Sequence, residues 1–340
     1  MTDALLERLA LGGLRHLSSA GAILCYHSLT SPELPAESTI HVSLEAFRAD
    51  VSLVRRWGRL VSISELLRRH HEGRSTAGLV ALTFDDGYAA LPALLTDFLE
   101  REEVPIAVFA VTDALRSGAA FWWDRIEDFF PHVPAARWRE FEDSCGLPEE
   151  YRRGQAASLE PLRPFRQWIL ATHTGRLPAR IDALLAELEE ETRVRTAHRS
   201  MTWEELTRFA ASPWVEVGVH TLSHPVLPFL PDEEWKQEVH DCYLLLRERI
   251  PDTLPVLSIP YGFYDERSIR LARELGMSTS LTLKQTTMKG CEPGGGLPRF
   301  CITRGGARWK LALRLSGFFG EARIGPDGQR AYPDLPSPTT

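Results

Sequence analysis

The sequence predicts an α/β protein whose mainly parallel sheet curls into an incomplete (β/α) barrel, carrying a helical insertion. Three observations lead there. Short apolar runs alternate with stretches of helical periodicity along most of the chain. That alternation breaks once, between about residues 121 and 200, where the sequence is helix-like and charged. Several of the apolar runs end on Asp, His or Pro-Tyr-Gly, as expected where functional groups gather at the carboxyl ends of parallel strands.

The elements follow in order. Residues 1–20 form a predicted N-terminal helix, with Leu5, Leu6, Leu9 and Leu14 at helical spacing despite Gly12 and Gly13. Strands are expected at Ile23–Tyr26, Leu79–Thr83, Ile106–Val111, Val215–Val219, Val256–Ile259, Ser280–Leu283 and Arg299–Ile302. Helices are expected at Leu44–Trp57, Ile63–Arg69, Leu91–Glu102, Trp203–Ala211, Glu233–Arg249 and Asp265–Leu275. Six or seven such units suit a barrel spanning 21–320, with the insertion at about 119–200. The Pro-rich polar stretch 321–340 reads as a disordered tail.

Bulk properties narrow the function. A chain of 340 residues, 44% hydrophobic, can bury a sizeable core. A net charge of -7 argues against a polyanion-binding face, so no nucleic-acid partner is expected. Five scattered cysteines with no CxxC pair indicate neither a disulfide framework nor a thiolate zinc site. The first residues lack a basic, then apolar, signal pattern, and no run approaches a membrane span. A cytoplasmic protein is the expectation. The run "ARWKLALRLSGFF" allows peripheral membrane contact but suits packing on the barrel.

Three motifs carry chemistry. In "LVALTFDDGYAA" an apolar run ends on two carboxylates, Asp85 and Asp86. Like charges so close are relieved by a cation between them, although Asp and Gly are also ordinary turn residues. In "VGVHTLSHP" another apolar run ends on His220, with His224 four residues on. A helical turn there would bring both rings onto one face. Two imidazoles and a carboxylate suit Zn²⁺ or a similar divalent metal with room for water. In "LSIPYGFYD" the turn frees backbone N–H groups near Tyr261 that can bind a developing oxyanion. Trp122 and Trp123 of "FWWD" could line a sugar cleft or simply pack.

The order "TFDDGY", "HTLSHP", "PYG" resembles the polysaccharide deacetylase, or NodB-homology, family over roughly Ala22 to Ile302. The resemblance implies a distorted (β/α) barrel that removes N- or O-acetyl groups from sugars with a divalent metal, often zinc. It implies that Asp85 is the general base and that Asp86, His220 and His224 are the metal ligands. The Tyr261 N–H would help hold the oxyanion.

Two positions depart from the pattern. Ser258 stands where many members have an Arg that orients the base, and Arg299 in "GLPRF" is the candidate to take over. No histidine follows His240, so the usual late Leu-x-His acid is missing. Some members have a permuted order in which an early Tyr-His strand supplies it. Tyr26-His27 in "AILCYHSLT" matches that arrangement and makes His27 the expected proton donor to the leaving amine.

The expected reaction is metal-dependent hydrolysis of an N-acetyl group on an acetylated amino sugar, free, nucleotide-linked or lipid-linked. Two alternatives stay open. One is a non-catalytic carbohydrate-binding or scaffold protein that keeps the metal site. The other is a metal-dependent hydrolase of an O-acyl group or a non-sugar amide.

Overall fold

The structure is a computed structural model that describes residues 20–36, 38–152, 162–306 and 308–317. The expected N-terminal helix and the tail 321–340 lie outside the described residues. Strands β1 (Ala22–Tyr26), β2 (Ser28–Thr30), β3 (His41–Ser43), β4 (Arg59–Leu60), β5 (Leu79–Phe84) and β6 (Ile106–Ala110) occupy the first third. Strands β7 (Val215–Val219), β8 (Val256–Ser258), β9 (Thr279–Leu281), β10 (Gly296–Leu297) and β11 (Phe300–Cys301) follow. Among the described residues, the main sheet runs β10-β9-β8-β7-β6-β5-β1-β11, with β4 also on β5. Every pairing in it is parallel. This is the incomplete (β/α) barrel that the alternating pattern predicted.

Crossover helices cover the outside. They are α1 (Leu44–Trp57), α2 (Ile63–His71) and α3 (Ala90–Glu102), then α4 (Ala114–Ser117) after β6. The insertion carries α5 (Trp122–Phe129), α6 (Ala135–Cys145), α7 (Leu162–Thr172) and α8 (Ala179–Thr192). After it come α9 (Trp203–Phe209), α10 (Asp232–Arg249), α11 (Glu266–Glu274) and α12 (Arg308–Leu315). Side-chain hydroxyls cap α1 (Ser43) and α2 (Ser62), and Thr202 with Glu205 forms a capping box on α9. No helix of the described residues is long and apolar enough to cross a membrane.

Strand alternation divides the core. One face, with Leu24, Leu82, Val108 and Val217, packs under the helices. The other faces the barrel interior, where Ile23, Ala81, Ala107, Phe109, Val256 and Leu281 fill the lower layers. Ile63, Leu66 and Leu67 of α2 join that interior cluster. Above them on the same interior face come Thr83, Asp85 and Arg299, so the apolar filling gives way to polar groups at the mouth. The insertion has a core of its own, built on Phe129, Trp138, Phe141, Phe165, Ile169 and Leu185.

Candidate metal centre and active site

Strand β5 delivers two carboxylates to different neighbours. Asp85 is bound end-on by Arg299, whose Nη1 and Nη2 donate to Oδ1 and Oδ2 at 2.8 Å each. Both residues are buried, Arg299 completely. Ser258 Oγ accepts from Arg299 Nη2 at 2.8 Å and donates to Asp85 Oδ2 at 3.0 Å. Cys25 Sγ lies 3.3 Å from the same oxygen. Burial would push the Asp85 carboxyl up, but the Arg299 guanidinium, helped by His220, holds it well below the usual range. The sequence candidate for orienting Asp85 from another strand therefore sits on it as a two-pronged fork. Ser258, read in the sequence as a gap in the pattern, is the hydroxyl that links fork to carboxylate.

Asp86 turns the other way because its φ is 72°. Its Oδ1 lies 3.3 Å from His220 Nε2 and 3.4 Å from His224 Nε2. All three residues are buried. The ring of His220 is fixed from behind, since its Nδ1 is 2.7 Å from the Ser258 carbonyl. That bond puts the proton on Nδ1 and points the Nε2 lone pair at Asp86. His224 is pushed down to about 3 by burial. For His220, burial lowers the value, but the Asp85 and Asp86 carboxylates outweigh it and raise it.

These residues pass a simple test for a divalent cation. Asp86 Oδ1 is a buried carboxylate oxygen with no hydrogen-bond partner among the described residues, and two imidazole nitrogens converge on it. The ligand atoms of Asp86, His220 and His224 all lie within 4.8 Å of one another. Buried acceptors without donors are costly, and a metal is what satisfies them together.

The two histidines do not meet through a helical turn. The chain from His220 to Pro225 is irregular, and Thr221 (φ 70°) and His224 (φ 60°) are left-handed. Tyr261, in the Pro260–Gly262 turn, is left-handed too, at φ 58°. With Asp86, four of the seven described non-glycine residues with positive φ lie in this corner, a concentration typical of functional sites. The Tyr261 ring packs 4.4 Å from that of His224, and Trp123 packs 5.0 Å from His224 on another side.

His27, at the end of β1, completes the group. Its nearest ring nitrogen, Cys25 Sγ and an Asp85 oxygen lie within 4.8 Å of one another. It is partly exposed, and its buried Nδ1 has no hydrogen-bond partner in the described structure. The first strand and the fifth thus bring His27 and Asp85 to one mouth because they are direct neighbours, Tyr26 pairing with Phe84.

One cluster beside the site joins Asp124 of the "FWWD" segment to two histidines that no motif marks. Asp124 Oδ2 accepts from Tyr88 at 2.7 Å, and Trp123 Nε1 donates to the same hydroxyl at 3.0 Å. Asp124 Oδ1 lies 3.1 Å from His41 Nε2, and the rings of His41 and His198 are 4.3 Å apart. Burial raises Asp124 to about 8 and lowers His41 and His198 to about 4 each. His41 and His198 lie 157 positions apart, and no motif marks either of them. Only the meeting of β3 with the approach to α9 reveals the pair.

Residues 183–280 match the family model for polysaccharide deacetylase, a segment holding His220, His224 and Tyr261 but not the two aspartates or His27. No curated protein sequence matches. Among solved structures, IcaB from Ammonifex degensii is similar over 88% of this chain and 97% of its own, with TM-score 0.57 and 18% identity. A Streptococcus pyogenes deacetylase, PplD in complex with acetate, is similar over 88% and 99%, with TM-score 0.55 and 14% identity. A polysaccharide deacetylase from Bacillus cereus covers 88% of this chain and 69% of its own, with TM-score 0.54 and 12% identity. These likenesses show a shared fold. Over residues 183–280 the chain is thus similar to the polysaccharide deacetylase family, and as a whole it shares the fold of solved deacetylase structures.

Proposed function

We propose that the protein is a metal-dependent N-deacetylase that hydrolyses the acetamide of an acetylated amino sugar. The observation that carries this reading is the contrast between two consecutive carboxylates. Asp85 is fixed by Arg299 and Ser258 beside His27, whereas Asp86 is offered to His220 and His224. One is placed to move a proton and the other to hold a cation.

Asp86, His220 and His224 would hold a divalent cation, zinc by the N/N/O donor set, which would supply Lewis acidity. Asp85, kept ionised by Arg299, takes the proton of the attacking water. Water oxygen bonds to the acetyl carbon, and the Tyr261 N–H stabilises the charge that develops on the acetyl oxygen. His27 gives a proton to the departing nitrogen as the C–N bond breaks, leaving acetate and a free amine. Arg299 acts through Asp85, as a positioning residue.

The test is acetate release from a panel of N-acetyl and O-acetyl sugars by protein supplied with zinc. N-acetyl sugars are expected to react. Asp85→Asn and His27→Asn should each lower kcat by about 10²–10⁴-fold, with the bound metal content unchanged in both. Full turnover in His27→Asn removes it from the mechanism, and acetate from no N-acetyl sugar overturns the reading.

A further inference from the structure

A cavity of about 320 Å³ lies between the insertion and the metal corner, within the size range of small-ligand pockets. It shares Trp123 and Tyr261 with that corner, and its other walls include Trp122, Arg163, Arg166 and Gln167. The insertion meets the barrel here. Trp122 Nε1 donates to the Gly175 carbonyl at 3.2 Å, and Gly175 lies against the Tyr261 ring so closely that a β-carbon there would fall 2.9 Å from the hydroxyl.

The charge on this wall is concentrated. Arg163 and Arg166 lie one turn apart on α7 and both line the cavity. Arg163 is exposed, and its guanidinium forms no ion pair or hydrogen bond among the described residues. Arg166, one turn on, contacts the buried Glu127 and keeps part of its fork for the cavity. Two guanidiniums one turn apart exceed what a single carboxylate satisfies, and suit the several oxygens of a phosphate or diphosphate. Trp122 lines the cavity beside Trp123, whose ring, stacked on Phe121 and 5.0 Å from that of His224, joins the cavity wall to the catalytic corner.

We propose that this cavity is an anion subsite for a phosphate or diphosphate group attached to the acetylated amino sugar, with Arg163 its principal cation. The inference rests on the deacetylase reading for its substrate, and its test separates the two. Binding is measured by calorimetry on chelator-treated protein, where no turnover occurs. The ligands are methyl N-acetylglucosaminide, N-acetylglucosamine 1-phosphate, UDP-N-acetylglucosamine and N-acetylglucosamine linked to a short polyprenyl diphosphate. Acetate release from the same compounds is followed on zinc-supplied protein.

Phosphorylated sugars should bind at least about tenfold more tightly than the neutral glycoside, the scale of one charge-assisted hydrogen bond. Raising the salt should erode the difference. Arg163→Ala and Arg163→Glu should collapse it, and Arg163→Lys should restore part. Whichever of the nucleotide and lipid ligands binds more tightly identifies the source of the phosphate. Equal affinity for neutral and phosphorylated sugars overturns the subsite, as does discrimination that survives Arg163→Glu, or tighter binding of an N-acetylhexosamine uronate. Tight, Arg163-dependent binding of phosphorylated sugars with no acetate from any compound overturns the deacetylase reading and leaves the subsite standing.

Discussion

At the scale of single residues, the Arg299–Asp85 pair is where sequence reasoning reached furthest and where the energetics are most exposed. Arg299 is fully buried and Asp85 nearly so, and each depends on the other for its charge. Arg299→Met leaves the buried Asp85 carboxylate with Ser258 and Cys25 as its side-chain hydrogen-bond partners and no guanidinium, which should cost about 3–5 kcal/mol in chemical denaturation. The sign with pH follows from the depressed Asp85 value. Its contribution is present above the unfolded carboxyl range, about pH 4, and is lost as pH falls toward the folded value. Loss of less than 1 kcal/mol in Arg299→Met at pH 7, about one pair at the surface, would mean that Asp85 is already satisfied without it. His198 behaves in the opposite chemical sense. Burial lowers it from 6.5 to about 4, so between those values the unfolded chain binds a proton there that the folded chain does not. Stability then falls on acidification by about 1.4 kcal/mol per pH unit from this group. His41 adds to that slope, while Asp124, protonated in the fold up to about 8, subtracts from it. Comparing wild type with His198→Asn isolates the residue: the variant's stability should decline less steeply between pH 6.5 and 4. Parallel curves would show that His198 is charged in the fold.

At the scale of elements, the parallel strands were legible because fully buried strands read as continuous apolar runs between helical patterns. The predicted Leu79–Thr83 and the observed Leu79–Phe84 differ by one residue. Strands β2, β3, β4 and β10 have two or three residues each, too few for any period to show. The turn from His220 to His224 is not helical, and the spacing could not say so, since four residues fit a helix but do not require one. What closes that turn is the left-handed backbone of His224 and of Thr221, a β-branched residue that rarely adopts it. Strand β7 itself shows an unadvertised requirement. Gly218 has ordinary backbone angles, yet a β-carbon on it would fall 2.4 Å from Phe109 Cε1 in the barrel interior. Gly218→Ala should therefore cost about 1–3 kcal/mol by overpacking, measured as a lower urea midpoint. Phe109→Leu in the same chain should recover part of the loss. An additive double mutant would locate the cost in the backbone of β7 instead.

At the scale of the molecule, the site is assembled from segments that have no local reason to stay together. Asp86 follows β5, His220 follows β7, and Ser258, which fixes His220, ends β8. The barrel places them so that two imidazoles converge on a carboxylate oxygen that has no hydrogen-bond partner among the described residues. A metal that binds only the folded chain stabilises the whole barrel by mass action, about 2.7 kcal/mol at a free concentration one hundred times Kd. With an unfolding entropy of about 2 cal/mol/K per residue over roughly 290 described residues, that corresponds to roughly 4 °C in Tm. Zinc added to chelator-treated protein should raise Tm by that order, and further with each tenfold increase in concentration. His220→Ala with His224→Ala should abolish the rise, since Asp86 alone is one ligand. His27→Asn should preserve it, because His27 belongs with Asp85 and Cys25 rather than with the three converging ligands. A rise lost in His27→Asn would place the cation between the two carboxylates instead of beside Asp86. That result would reassign Asp85 from base to ligand.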